Sequence, residues 1–223
     1  SEDLVRRRFP DQTGMLTVQQ IIPGSISDGE FEPGDILVSV NGELITEFIP
    51  LAALMDDSVG KVVKIKIERG GRPFTKEITV ADLHEFLPDE FLEFGDAVVH
   101  NVSYHQARHY NRPQKGVYIA SPGYMFSRAA IPRAAVISEV AGIPVVNIGD
   151  LDRELSKLAD GDRATFRYHT IEDSRNSIVR SVEMDRTWFP ARHCRRNDDT
   201  GLWPCRELAA GPEPSESRPG STK

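Results

Sequence analysis

Glu32-Pro33-Gly34-Asp35-Ile36-Leu37-Val38-Ser39-Val40-Asn41-Gly42 places a turn, a strand and a hairpin turn in one short run. Pro33-Gly34 breaks any regular element, and residues 36–40 are apolar and β-branched. Asn41 and Gly42 both tolerate the left-handed backbone that a two-residue hairpin demands, so Glu43-Leu44-Ile45 returns beside the strand. Downstream, residues 50–55 carry apolar side chains at helical spacing and begin with Pro50, whose missing N–H costs nothing in a first turn. Val63, Ile65 and Ile67 then alternate with lysines, and Gly70-Gly71 turns this strand into a second alternating run over 74–80. Upstream, residues 15–22 read as a strand closed by Pro23-Gly24.

The same order returns about a hundred residues later. Residues 117–120 and the turn Ser121-Pro122-Gly123 parallel 15–22 and Pro23-Gly24. Residues 136–138 parallel 36–39, Ala141-Gly142 stands opposite Asn41-Gly42, and Leu151, Leu155 and Leu158 repeat the helix. Gly161 parallels Gly60, 164–168 parallels 63–67, and 178–184 supplies the last strand. Two copies of one unit explain this economically. The second copy has an upstream piece, a strand over 91–101 and a short helix over 103–110, that the first lacks, so the first is expected to be truncated at its N-terminus. The expected class is α+β, with domains at 1–83 and 84–190, an ordered extension at 191–208 and a disordered tail or linker at 209–223. That tail is rich in proline, glycine, serine and charge. In the extension, Leu202 and Trp203 are expected to pack back on the second domain.

Composition narrows the function. The chain has 223 residues, a formal net charge of −7, 39% hydrophobic and 27% charged residues. A chain of this balance folds, and its acidic excess argues against a nucleic-acid partner, which a basic surface would hold. Arg6-Arg7-Arg8 reads as a solvated face. No stretch approaches the ~18 apolar residues of a membrane span, and no leader opens the chain; because Ser1 is not Met, the compartment stays undetermined. Cys194 and Cys205 are the only cysteines. Their default reading is two free thiols, with a disulfide closing a short loop as the alternative in an oxidising compartment.

Most catalytic chemistry has no carrier here. There is no Gly-x-Ser-x-Gly elbow, no phosphate loop, no dinucleotide fingerprint and no His-Glu-x-x-His helix. No catalytic residue, metal ligand or cofactor is therefore assigned. His105 and His109 share one helix face, with His100 upstream, but histidines packed beside Tyr104 and Tyr110 are the better account than a metal site. Asp56-Asp57 and Asp198-Asp199 read as turn and surface residues. What remains is a groove: a sheet edge beside a helix accepts an extended peptide as an added strand. Its edge is expected at Phe94, Gly95, Asp96, Ala97, Val98 and Val99, with Gly95 free to aim N–H groups at a terminal carboxylate. Leu151, Leu155 and Leu158 would line the facing wall, or simply be core.

The run from Glu32 to Gly42, followed by a helix and hairpin, resembles the PDZ domains of HtrA/Deg serine proteases. Asp82-Leu83-His84, Ser103-Tyr104-His105-Gln106-Ala107-Arg108 and Arg196-Asn197-Asp198-Asp199-Thr200-Gly201-Leu202-Trp203 resemble the double-length eukaryotic branch, which includes a fungal nuclear protease and a plant chloroplast one. The resemblance implies two PDZ-like domains, each a partly open antiparallel barrel or sandwich with short helices. It implies a serine endopeptidase whose protease domain, in the same or a longer chain, is a partner, with homo-oligomers formed through that parent. The modules would bind a peptide or unfolded-protein substrate and regulate proteolysis; the alternative is a structural or oligomerisation module with occluded grooves. Asp96 and Ala141-Gly142 depart from the pattern, since a carboxylate at Asp96 repels a peptide C-terminus.

Overall fold

The computed structural model describes residues 14–189 and 191–208, so the tail expected at 209–223 lies outside the described residues. The chain divides into two compact units: residues up to 87 with 107–113, and residues 88–106 with those from 114 onward. No helix among the described residues is long and apolar enough to cross a membrane.

The first unit is an antiparallel sheet in the order β1 (Leu16–Thr17), β2 (Ile36–Val40), β4 (Val62–Arg69), β5 (Arg72–Thr79), with β3 (Glu43–Leu44) beside β2. The strand expected over 15–22 is shorter than its apolar run. Val18 still exchanges backbone bonds with Gly34 and Asp35, both 2.8 Å, and the chain then leaves the sheet. Helix α1 (Phe48–Asp56) starts two residues before Pro50, which stays within the first turn, where backbone N–H groups have no intrahelical partner. Val40, Ile45, Val63, Ile65 and Ile67 form the core, with Leu51, Leu54 and Met55 of α1 half-buried against it. Phe48 and Ile49 are 70% and 80% exposed.

The second unit begins with β6 (Glu90–Phe94), β7 (Ala97–Asn101), the start of α2 (Tyr104–Tyr110), whose residues from Ala107 on are grouped with the first unit, β8 (Val117–Ser121) and α3 (Gly123–Arg128). It continues with β9 (Ala135–Val140), β10 (Ile143–Pro144), α4 (Ile148–Leu155), β11 (Arg163–Thr170), β12 (Ile178–Glu183), β13 (Arg192–Arg195) and β14 (Cys205–Glu207). The sheet order is β12-β11-β9-β8-β7-β6-β13-β14, with β10 beside β9, and neither sheet closes into a barrel.

The repeat holds in detail. β2 and β4 pair as β9 and β11 do, each pair with one register shift. Asn41-Gly42 and Ala141-Gly142 both turn through positive φ. Asn41 adds a side-chain bond, its Oδ1 accepting the Lys64 N–H at 2.9 Å, which Ala141 cannot supply.

Two readings are corrected. The single strand expected over 91–101 is two strands, because Gly95 (φ 51°) and Asp96 (φ 59°) form a two-residue hairpin turn. Cys194 and Cys205 are not free thiols: they face each other across the β13–β14 ladder and form a disulfide. Spacing along the chain could not show that an antiparallel pairing would bring them opposite.

Candidate peptide groove of the second unit

The groove elements do meet. Helix α4 starts at Asn147, whose Oδ1 accepts the Asp150 N–H at 2.9 Å as an N-cap, and it packs on β6 and β7. Asn101 at the end of β7 accepts the Ile148 N–H at 2.7 Å, tying strand to helix. Phe94, Ala97, Val99, Leu151 and Leu155 belong to one core cluster, and Leu158, beyond the helix end, packs against it. Val98 is half-buried, while Gly95 and Asp96 make the turn.

Both edges of β7 are hydrogen-bonded. β8 takes one side, and β6 takes the other in the register Leu92↔Val99, Glu93↔Val98, Phe94↔Ala97. Leu92 and Phe94 point into the core, where Phe94 meets Phe126 edge-on at 5.3 Å and Phe126 meets Phe166 at 5.5 Å. The position that an added strand would take beside β7 thus holds the chain's own β6. The outer edge of β6 is covered in turn by β13, with Arg192↔Glu93 and Cys194↔Phe91 opposite each other.

The tight turn is fixed from above by α3. Tyr124 donates its N–H to the Gly95 carbonyl at 3.2 Å, and Gly123 lies against the backbone of residues 95–97. Burial pushes the Tyr124 phenol pKa up, and its hydroxyl donates to the Asp185 carbonyl.

Sequence reasoning missed Arg186. Its guanidinium donates to the carbonyls of Leu155 (2.7 Å) and Leu158 (2.9 Å), closing the free end of α4, and pairs with Asp160. Arg186→Ala is expected to destabilise the second unit by about 2 kcal/mol, the scale of charge-assisted hydrogen bonds lost from a side chain that is almost buried. Urea denaturation of the variant checks it. No local sequence signal announces such a cap, because donor and acceptors belong to different elements.

His105 and His109 are exposed on α2, with rings 5.9 Å from Tyr104 and 4.7 Å from Tyr110 respectively, and among the described residues no group of three metal-binding side chains occurs. Trp203 packs back as expected, against Phe91 at 5.4 Å, whereas Leu202 is 67% exposed.

An antiparallel sheet whose central hairpin is followed by a helix occurs in both units. Residues 17–69 match the PDZ domain family and residues 85–161 the PDZ-like domain family. The chain thus carries two PDZ domains, and its relatives are HtrA/Deg-like serine proteases. "Protease Do-like 7" of Arabidopsis thaliana is 42% identical over 206 residues, covering 91% of this chain and 19% of that protein. "Pro-apoptotic serine protease nma111" of Neosartorya fischeri is 37% identical over 217 residues, 97% of this chain and 21% of that protein. Its counterpart in Vanderwaltozyma polyspora is 34% identical over the full chain and 23% of that protein. The chain thus spans about a fifth of the length of the curated relatives it matches.

Proposed function

We propose that this chain is a non-catalytic PDZ module of an HtrA/Deg-like protease, and that its second repeat acts structurally, with β6 serving as a built-in ligand of its own groove. The observation that carries this is the pairing of β6 along the edge of β7 that β8 leaves open. Burying side chains such as Leu92 and Phe94 stabilises by about 1.5–3 kcal/mol each. A peptide entering beside β7 has to offset roughly 5 kcal/mol, which takes a micromolar ligand into the millimolar range. Organising neighbouring domains or copies of a parent protease is the role this reading leaves to the second repeat.

A second reading keeps substrate selection by Phe94, Gly95, Asp96, Ala97, Val98 and Val99 with Leu151, Leu155 and Leu158. Its support is that the groove elements are adjacent, so release of β6 would open a site of the right shape for a peptide or unfolded-protein segment. One titration separates the two. Fluorescein-labelled C-terminal peptides, as free acids and as amides, are added to the full chain while anisotropy and the amide signals of β7 are followed. The structural reading expects no saturable binding below about 1 mM and undisturbed β7 signals. Saturable micromolar binding that shifts the signals of β6 and β7 would overturn it, and sensitivity to amidation would show a carboxylate being read despite Asp96.

A further inference from the structure

We infer that residues 191–208 form a redox-sensitive clasp over the outer edge of β6, its two strands stapled to each other by the Cys194–Cys205 disulfide, so that reduction favours unfolding of the clasp. β13 lies along β6, and β14 lies along β13. Between them the chain folds back through Asn197, whose N–H reaches the Leu202 carbonyl and whose carbonyl accepts from Gly201, both at 2.8 Å.

Beside the β6–β13 ladder, the buried Ala191 and the packing of Trp203 on Phe91, the clasp is fastened by ion pairs. Arg192 pairs with Glu93, His193 Nε2 lies 3.0 Å from Glu90, Arg195 reaches Asp89 at 3.3 Å and Arg206 reaches Asp152 at 2.6 Å. Arg192, Arg195 and Arg206 have half or more of their side chains exposed, so these pairs hold little on their own. β14 consists of three exposed residues, a short edge strand that pairs with β13. The covalent bond adds to the β13 ladder, the Leu208 N–H to Ala191 carbonyl bond and the Arg206–Asp152 pair in holding it.

The two sulfurs differ in access. Cys194 is 1% exposed and sits inside the unit, whereas Cys205 is on the surface. A small dithiol attacks the Sγ of Cys205, breaking the Sγ–Sγ bond and releasing Cys194, which takes up a proton. The second thiol of the reagent then displaces Cys205 and closes the reagent's own disulfide ring, leaving two protein thiols and an oxidised dithiol. Loss of the cross-link returns loop entropy to the opened state, equivalent for a loop of this length to about a hundredfold in its population. Opening bares the backbone of β6 as a new sheet edge, the kind of surface that accepts a strand from another chain.

Hydrogen–deuterium exchange on the full chain, read by mass spectrometry before and after dithiothreitol, tests the clasp. Exchange over 191–208 is expected to rise about a hundredfold on reduction, with a smaller rise over 88–94 and none in β11 or β12. Cys205→Ser should reproduce the reduced pattern without reagent while leaving Cys194 in place. Unchanged exchange after complete reduction, or maleimide labelling of both cysteines in air-oxidised native protein, would overturn the inference. The peptide titration above reports on β7 and not on the clasp, so either result can fail without the other.

Discussion

Gly123→Ala is expected to destabilise the second unit by about 3 kcal/mol or more, whereas Gly24→Ala, in the matching Pro-Gly turn of the first unit, is expected to cost only about 1 kcal/mol. Both glycines have positive φ, 54° and 76°, so both variants carry the left-handed strain of an L side chain. The difference is steric. A Cβ on Gly123 would lie 2.3 Å from the Ala97 nitrogen and 2.4 Å from the Gly95 carbonyl oxygen, backbone atoms that can yield only if the β6–β7 turn moves. A Cβ on Gly24 meets nothing within 4 Å. Denaturation of the two variants checks the ranking, and exchange rates over β6 and β7 should rise in Gly123→Ala alone. Equal losses would show that the turn does not rest on α3.

Asp35→Ala is expected to destabilise the first unit by about 3 kcal/mol at neutral pH. The Asp35 carboxylate is wholly buried and accepts from Arg69 Nε at 2.7 Å, from a second guanidinium nitrogen at 2.8 Å and from the Glu32 N–H at 2.9 Å. The hydrogen bonds from Arg69 hold its pKa below the usual aspartate value, outweighing the opposite effect of burial. A carboxyl group whose pKa is depressed by folding stabilises the protein above its unfolded value, about 3.9, and loses that contribution as pH falls through the folded value. The gap in stability between wild type and Asp35→Asn should therefore be full at pH 6 and shrink steadily below about pH 4. Urea titrations read from β2 and β4 amides would show it; a gap independent of pH would mean that the ion pair contributes nothing.

Much of this was legible from residues 32–42 outward. The Asn41-Gly42 hairpin, the alternation of Val63, Ile65 and Ile67 and the doubled order of elements all appear in the structure, because each rests on backbone preferences and side-chain periods that neighbours along the chain impose. The groove was legible only in its parts. Phe94 to Val99 and the leucines of α4 were singled out, and the structure brings them together, but local sequence did not reveal that Gly95-Asp96 would fold the chain back on itself. An apolar run such as 91–101 fits one strand as well as two, and only the turn conformation held under α3 separates them.

Local chemistry thus determined most of this chain's turns, though not the one at Gly95-Asp96, which faces of its strands are apolar and that one unit is built twice. Tertiary structure alone decided which edges stay free. Pro23-Gly24 and Pro122-Gly123 are the same dipeptide, yet one faces open space and the other presses on a turn. The partners that cover β6 come from far along the chain, Arg192 meeting Glu93 at a separation of 99 residues and His193 meeting Glu90 at 103. Backbone N–H and C=O groups carry no side-chain identity, so the sequence of a strand does not say which other strand will complete its hydrogen bonds; long-range packing makes that choice.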